Sequence, residues 1–234
     1  MRRRYQLGKH WNGTRLSVAM VASFLDPEAR TGLDIGSNEG ALTCVLAKSG
    51  LDVLGVEMTG RFRENAEILA KGMNVSPRFE GRIFSLEDIE QMDEIDVALF
   101  LSVHHQLVAH NDLEYANAFL KALARKTRMQ LFFQPACILR KYKKPMPFGD
   151  NDIQAIIAYF LDLLEDIFPY RGLVGFSLND LPRQEPLRPM LLFSHKPIQP
   201  YPGRDVVGLI DEIRQAGRPT HPLMRKLKHF TPNG

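Results

Sequence analysis

Cysteine is scarce in this chain, and so is tryptophan: 234 residues hold two of the first and one of the second. Cys44 falls inside an expected helix and Cys137 just past an expected strand. No disulfide framework is expected from such a pair, which reads as two free thiols of a reducing compartment. No apolar run approaches the ~18 residues that a membrane helix needs. The opening "MRRRYQLGKHWNG" has neither an apolar core nor a small-residue cleavage site, so no secretory signal is expected and the cytoplasm is the expected compartment. Internal repeats and low-complexity tracts are absent. Two glycine signatures are missing as well: the Gly-Lys-Ser/Thr of a phosphate-binding P-loop and the G-x-G-x-x-G of a dinucleotide fold.

Charge of one sign is not in excess overall, with a net charge of +3. Its placement is uneven. Arg2, Arg3, Arg4, Lys9 and Arg15 open the chain without an acid among them; Arg140, Lys141, Lys143 and Lys144 cluster in "RKYKK"; Arg225, Lys226 and Lys228 lie near the end. Such clusters suit an anionic partner or a solvated basic surface.

What is present is an alternation. "TRLSVAMVASFLD" has helical spacing; "TGLDIG" is a short strand; "ALTCVLAKSG" is a helix stopped by Gly50. "LDVLGVE", "RFEGRIFS", "IDVALFLSV" and "MQLFFQP" read as further strands, with charged helices "RFRENAEILAKG" and "DLEYANAFLKALARK" among them. That order predicts a parallel sheet with crossover helices through about residue 135. A loop, "ACILRKYKKPMPFGDN", and a helix, "DIQAIIAYFLDLLED", follow, with Asp150, Asn151 or Asp152 as cap. "RGLVGFSL" and "RPMLLFSHK" predict an antiparallel hairpin, and "DVVGLIDEIRQAG" a last helix. The expected division is a helical cover over residues 1–30, a core over 31–200, and a helix with a basic tail over 201–234.

Ligands of open parallel sheets sit at the carboxyl ends of the strands. There the chain offers "LDIGSNEG", then Glu57 and Met58, Ser85 to Asp88, Ser102 to Gln106, and Gln134 to Cys137. In the first of these, Asn38 stands where a dinucleotide loop needs its second glycine. Asp34, just before the turn, is hostile to phosphate and welcoming to a cation. Glu57 ends the second strand, the place for a carboxylate that takes both hydroxyls of a ribose. These residues predict a nucleoside ligand with a positive charge and no phosphate.

On these residues the chain resembles the class I S-adenosylmethionine-dependent methyltransferases over about residues 30 to 135. The resemblance implies an α/β, Rossmann-like, doubly wound and mostly parallel seven-stranded sheet with a C-terminal antiparallel hairpin and an N-terminal helical cover. It implies S-adenosylmethionine as cofactor and S-adenosylhomocysteine as product. Asp34, Gly36, Ser37, Asn38 and Gly40 match the loop that wraps the methionine part. Glu57 matches the ribose acid, and Met58 lies near the adenine. Ser85, Leu86 (through its amide), Glu87 and Asp88 fall where the family meets the adenine amino group, although an acidic helix start would give the same letters. Ser102 completes the cofactor set.

"LSVHHQL" sets two histidines directly after a buried strand. The family often carries a histidine here beside the methyl group. His105 matches it best, with His104 one register away, and either is a candidate base for a protonated acceptor. Packing is the competing role. Tyr5, Trp11 and Arg15 in the N-terminal segment are candidate acceptor contacts, as are Lys143, Lys144 and Phe148 in the long loop after the fifth strand.

No metal is expected, because "SVHHQL" and "FFQPAC" supply no carboxylates and the paired histidines lack a third ligand at helical spacing. The expected acceptor is an oxygen or nitrogen nucleophile on a small molecule or glycan. RNA is the alternative, favoured by the basic clusters and opposed by the absence of an RNA-binding module and of an Asn/Asp-Pro-Pro-Tyr/Phe motif. Two further readings are a non-catalytic cofactor-binding protein and a nicotinamide dehydrogenase. No oligomeric state follows from the sequence.

Overall fold

The computed structural model describes residues 10–137, 146–178 and 187–217. In chain order its elements are α1 (Trp11–Phe24), β1 (Thr31–Ile35), α2 (Ala41–Lys48), β2 (Asp52–Val56), α3 (Gly60–Gly72), β3 (Arg78–Glu80), α4 (Leu86–Gln91) and β4 (Ile95–Leu101). There follow α5 (His104–His110), α6 (Leu113–Lys126), β5 (Thr127–Gln134), α7 (Ile153–Leu163), β6 (Tyr170–Leu178), β7 (Leu187–Ser194) and α8 (Val206–Ala216). One seven-stranded sheet runs β3-β2-β1-β4-β5-β7-β6. β1 to β5 pair in parallel; β7 is antiparallel to both β5 and β6. The expected doubly wound sheet and its terminal hairpin are both there.

Period-2 alternation divides the core between the two faces of the sheet. Val97 and Leu99 of β4, Phe132 of β5 and Met190 and Leu192 of β7 join one cluster, with α1, α2 and α8. Ala98 and Phe100, Leu131 and Phe133, and Leu191 and Phe193 join the other, with α6 and α7. The apolar run "IDVALFL" is therefore a strand covered on both sides, and its five central residues are buried. α1 and α8 share one apolar cluster with α2, Val18, Val21 and Ile213 being wholly buried in it.

Two details depart from the sequence reading, and a third selects one of its three cap candidates. β3 stops at Glu80, since Ser85 is taken up as the cap of α4. Asp152 is the residue that caps α7, accepting from the Ala155 amide at 3.1 Å. "HHQLVAH" is a short helix, α5, which no side-chain cap announces.

The strand order reverses between β1 and β4, and there the carboxyl ends diverge to leave the crevice of an open α/β sheet. β6 runs in the sense of β5, so its last residue, Leu178, lies at this same edge. α1 meets it there: a Cβ on Gly13 would collide with the Leu178 carbonyl. The N-terminal helix thus begins beside the crevice.

Candidate functional site

The turn after β1 is bent by left-handed residues at alternate positions: Gly36 (φ 77°), Asn38 (φ 53°) and Gly40 (φ 75°). Asparagine enters this region more readily than other side-chain-bearing residues, which is why it can stand for a glycine. Its Oδ1 accepts the Glu39 amide at 2.9 Å, closing the turn locally. Gly36 and Ser37 both donate their amides to the Val56 carbonyl, at 2.9 and 3.0 Å, so the turn is tied to the end of β2. A Cβ on Gly36 would stand 2.5 Å from Val103 Cγ2, and one on Gly40 2.6 Å from Ala66 Cβ. The glycines are needed for approach as well as for backbone shape. Ser37 is buried, and its Oγ has no hydrogen-bond partner among the described residues.

Asp34, the acid just before this turn that was expected to welcome a cationic ligand, is buried, and its Oδ2 accepts from Thr43 Oγ1 of α2 at 2.6 Å. Burial pushes its carboxyl up to about 6, against the Thr43 hydrogen bond and with the help of the Glu57 charge. The neighbouring Cys44 thiol is pushed up to about 12 by burial and by Asp34, so it is no nucleophile. Glu39, which the sequence reading left out, is wholly buried and accepts from Asn65 Nδ2 at 2.9 Å, fastening the loop to α3.

Glu57 follows β2 and is half-buried. Its Oε2 accepts the Asn38 amide at 3.1 Å and its Oε1 the Thr59 amide at 2.7 Å. Met58 beside it is 63% exposed, and Ile83, across the gap after β3, 69%. Arg63 Nη1 donates to the carbonyls of Glu57 and Met58, at 3.1 and 3.3 Å, and holds this turn.

The segment from Ser85 to Asp88 is an acidic helix start. Ser85 Oγ accepts from the Asp88 amide at 3.1 Å while Asp88 Oδ2 accepts from the Ser85 amide at 2.7 Å, a reciprocal cap. These hydrogen bonds hold the Asp88 carboxyl below its usual range, Arg82 adding to them. Glu87 is exposed and accepts from Gln91. The Leu86 amide has Tyr115 Oη at 3.4 Å.

At the end of β4, Ser102 is also left-handed (φ 60°). Its amide donates to the Gln134 carbonyl at 2.9 Å and its Oγ to Gln134 Oε1 at 3.0 Å. Gln134 Nε2 donates to Ser177 Oγ at 2.9 Å, and Arg188 Nη1 donates to Ser102 Oγ at 2.8 Å. Ser177 and Arg188 face each other in the β6–β7 register. β4, β5, β6 and β7 are thereby linked in one polar network at the crevice edge. The strand pattern of "RPMLLFSHK" gave no sign of this for Arg188.

His104 and His105 open α5 and are both buried. His104 meets Phe133 and Phe160 edge-on, with ring centroids 5.9 and 5.1 Å away, and its Nε2 lies 3.1 Å from Asn117 Oδ1. Burial takes its pKa down to about 4, against the Asn117 hydrogen bond. Phe148 packs on Tyr159 and Phe160 in the same aromatic layer. Trp11 is half-buried and packs on the core, whereas Arg15 is exposed. Tyr5, Lys143 and Lys144 lie outside the described residues, as do all the basic clusters except Arg15. Among the described residues no group of three His, Cys, Asp or Glu is placed to hold a metal ion.

Residues 33–130 match the methyltransferase domain family. No curated protein matches the chain. Among solved structures, the bifunctional kinase-methyltransferase WbdD is similar, with a TM-score of 0.55 and 22% identity over 81% of this chain and 39% of that one. The chain thus spans well under half the length of that protein. Magnesium protoporphyrin IX methyltransferase (ChlM) from Synechocystis PCC 6803 with bound SAH gives a TM-score of 0.56 and 19% identity over 79% of this chain and 84% of that one. TehB from Haemophilus influenzae gives 0.51 and 12%, over 79% and 62%. At such identities the likeness is one of fold.

Proposed function

We propose that the chain, whose residues 33–130 match the methyltransferase domain family, is a class I, S-adenosylmethionine-dependent enzyme that methylates an oxygen or nitrogen nucleophile on a small-molecule or glycan-type acceptor. The observation that carries the cofactor assignment is the left-handed loop hooked onto Glu57 beside the β1–β4 crevice. The residues present fit S-adenosylmethionine. Each Glu57 oxygen accepts one backbone amide and keeps a lone pair for a ribose hydroxyl. Met58 offers an exposed thioether side chain to the adenine. The buried Ser37 hydroxyl has hydrogen-bonding capacity unused by the described residues. Gly36 and Gly40 let the loop pack closely on Val103 and Ala66, which sets its shape.

Bound there, the sulfonium supplies an electrophilic methyl group. The chain's own contribution is positioning, together with acceptance of a proton if the acceptor arrives protonated. His104 and His105 begin the helix directly after β4 and are the residues for that proton. Ser102, Arg188 and the start of α1 flank the acceptor side of the crevice.

ChlM is named as a methyltransferase of magnesium protoporphyrin IX, which supports a small acceptor by analogy of fold. Calorimetry should show S-adenosylhomocysteine binding and no binding of a nicotinamide dinucleotide. Labelled methyl from S-adenosylmethionine should then enter a small-molecule or glycan extract of the source cell. Label found in RNA alone would reject the acceptor assignment, and dinucleotide binding would reject the cofactor.

A further inference from the structure

Resting on that methyltransferase reading, we propose that Asn117, braced by Tyr159, is a positioning residue that fixes His104 as the Nε2–H tautomer and leaves Nδ1 as its proton-accepting nitrogen. Asn117 lies on α6 and Tyr159 on α7; neither carries a sequence motif. Asn117 Nδ2 donates to Tyr159 Oη at 2.6 Å. Its other end, Oδ1, faces His104 Nε2 at 3.1 Å. An amide oxygen only accepts, so Nε2 must carry the hydrogen. A neutral imidazole has one N–H, and the lone pair therefore resides on Nδ1.

The ring is held neutral by its surroundings. Among the described residues, the groups that bond to it or pack ring on ring with it are Asn117 from α6, Phe133 from β5 and Phe160 from α7, with Tyr159 behind Asn117. No carboxylate or cation is among them, and Tyr159 is the one titratable member. His104 is 2% exposed. When a proton leaves an acceptor O–H or N–H for Nδ1, the imidazolium keeps its Nε2–H on Asn117 Oδ1. The positive charge that forms is thus met by an amide oxygen already in place, which offsets part of the cost that burial sets on the charged state.

Position argues for function over packing. A polar trio inside a phenylalanine layer is costly unless fully satisfied, and apolar side chains of equal volume would fill it without desolvation. This trio stands at the first residue of α5. The preceding residue, Val103, lies so close to Gly36 of the cofactor loop that a Cβ there would collide with it.

The amide could also be turned end for end, and this makes the proposal testable. Nδ2 would then donate to Nε2, Oδ1 would accept the Tyr159 hydroxyl, and the histidine proton would move to Nδ1. Long-range proton–nitrogen correlation spectra of the His104 ring, taken on the free protein, distinguish the two. The wild type should show a protonated Nε2 and a bare Nδ1. Tyr159→Phe removes one hydroxyl from the brace, and signal from the Nδ1–H tautomer should appear. Asn117→Asp should keep Nε2–H and raise the His104 midpoint by about 1 unit or more, since a carboxylate beside the ring favours imidazolium. A wild-type Nδ1–H tautomer overturns the proposal, and so do two variants whose tautomer and midpoint match the wild type. These spectra need neither cofactor nor acceptor. A failure to find methyl transfer therefore counts against the proposed function alone. With an acceptor in hand, Tyr159→Phe should lower kcat and leave KM in place; an unchanged kcat overturns the catalytic purpose.

Discussion

Glu57 Oε2 accepts the backbone amide of Asn38 at 3.1 Å, so the acid that ends β2 holds the tip of the loop that ends β1. Two neighbouring strand ends are locked by one side chain, and the loop is shaped before any ligand arrives. Glu57→Ala removes this clamp and the carboxylate assigned to the ribose together. Hydrogen bonds to a charged group are worth about 1.5–3 kcal/mol each. S-adenosylhomocysteine affinity should fall by a factor on the order of 10 to 100. Glu57→Gln can still accept one amide and should fall less. An affinity unchanged in Glu57→Ala, read by calorimetry, rejects the ribose assignment.

The left-handed Asn38 gives a second outcome. Asn38→Gly suits φ 53° and loses only the Oδ1 contact to Glu39, so melting temperature and cofactor affinity should stay close to the wild type. Asn38→Val puts a β-branched residue in the same conformation, at a cost of about 1–2 kcal/mol. Cofactor affinity should fall about tenfold with it. Equal behaviour of the two variants would show that the loop relaxes to another backbone.

These details explain what the sequence could and could not disclose. Alternation of apolar strands and helices was enough for the sheet, because β4 and β5 are buried on both faces and carry no competing pattern. The glycine turn and Glu57 are local features at strand ends, and they were legible. α5 was not: seven residues without a capping side chain look like a loop. Glu39 has no role legible in the sequence and Asp34 reads only as an acid before the turn; packing turns the first to Asn65 and the second to Thr43. Arg188 meets Ser102 across 86 positions, through a β7 register that no local pattern encodes.

Asp34 and His104 give opposite pH dependences. The Asp34 pKa is raised from 3.8 to about 6, so the native state holds its proton more tightly than the unfolded chain. The stability it contributes is complete below about pH 4 and is lost as pH rises through about 6. His104 is depressed from 6.5 to about 4; its contribution is present above 6.5 and is lost as pH falls towards 4. The two partly cancel between these limits. Asp34→Asn cannot ionise and can still bond to Thr43. It should raise stability at neutral pH by an amount on the order of 2 kcal/mol. It should also expose the acid sensitivity of His104, giving a steeper fall in denaturation midpoint from pH 6.5 towards 4 than the wild type shows. A variant no more stable at neutral pH would mean that Asp34 is not strained by its burial.

Substitution of Arg188 should separate acceptor binding from cofactor binding. Its guanidinium donates to Ser102 Oγ, and Ser102 holds its left-handed conformation through Gln134. Val103 comes next and packs where a Gly36 Cβ would be. Arg188 therefore stands one residue away from the cofactor loop, yet on the β5–β7 side of the crevice. Arg188→Ala leaves Ser102 Oγ without that donor and should cost about 1–2 kcal/mol, the lower part of the range for a charged hydrogen bond because the side chain is half-exposed. Arg188→Lys keeps the charge but not the planar fork, and should restore part of the stability. S-adenosylhomocysteine affinity should change less than threefold in either variant, since Glu57 and the loop glycines lie on the other side of β4. The acceptor KM should rise about tenfold in Arg188→Ala. If cofactor affinity falls as far as acceptor affinity does, the polar network belongs to the cofactor half of the crevice, and the acceptor must enter elsewhere.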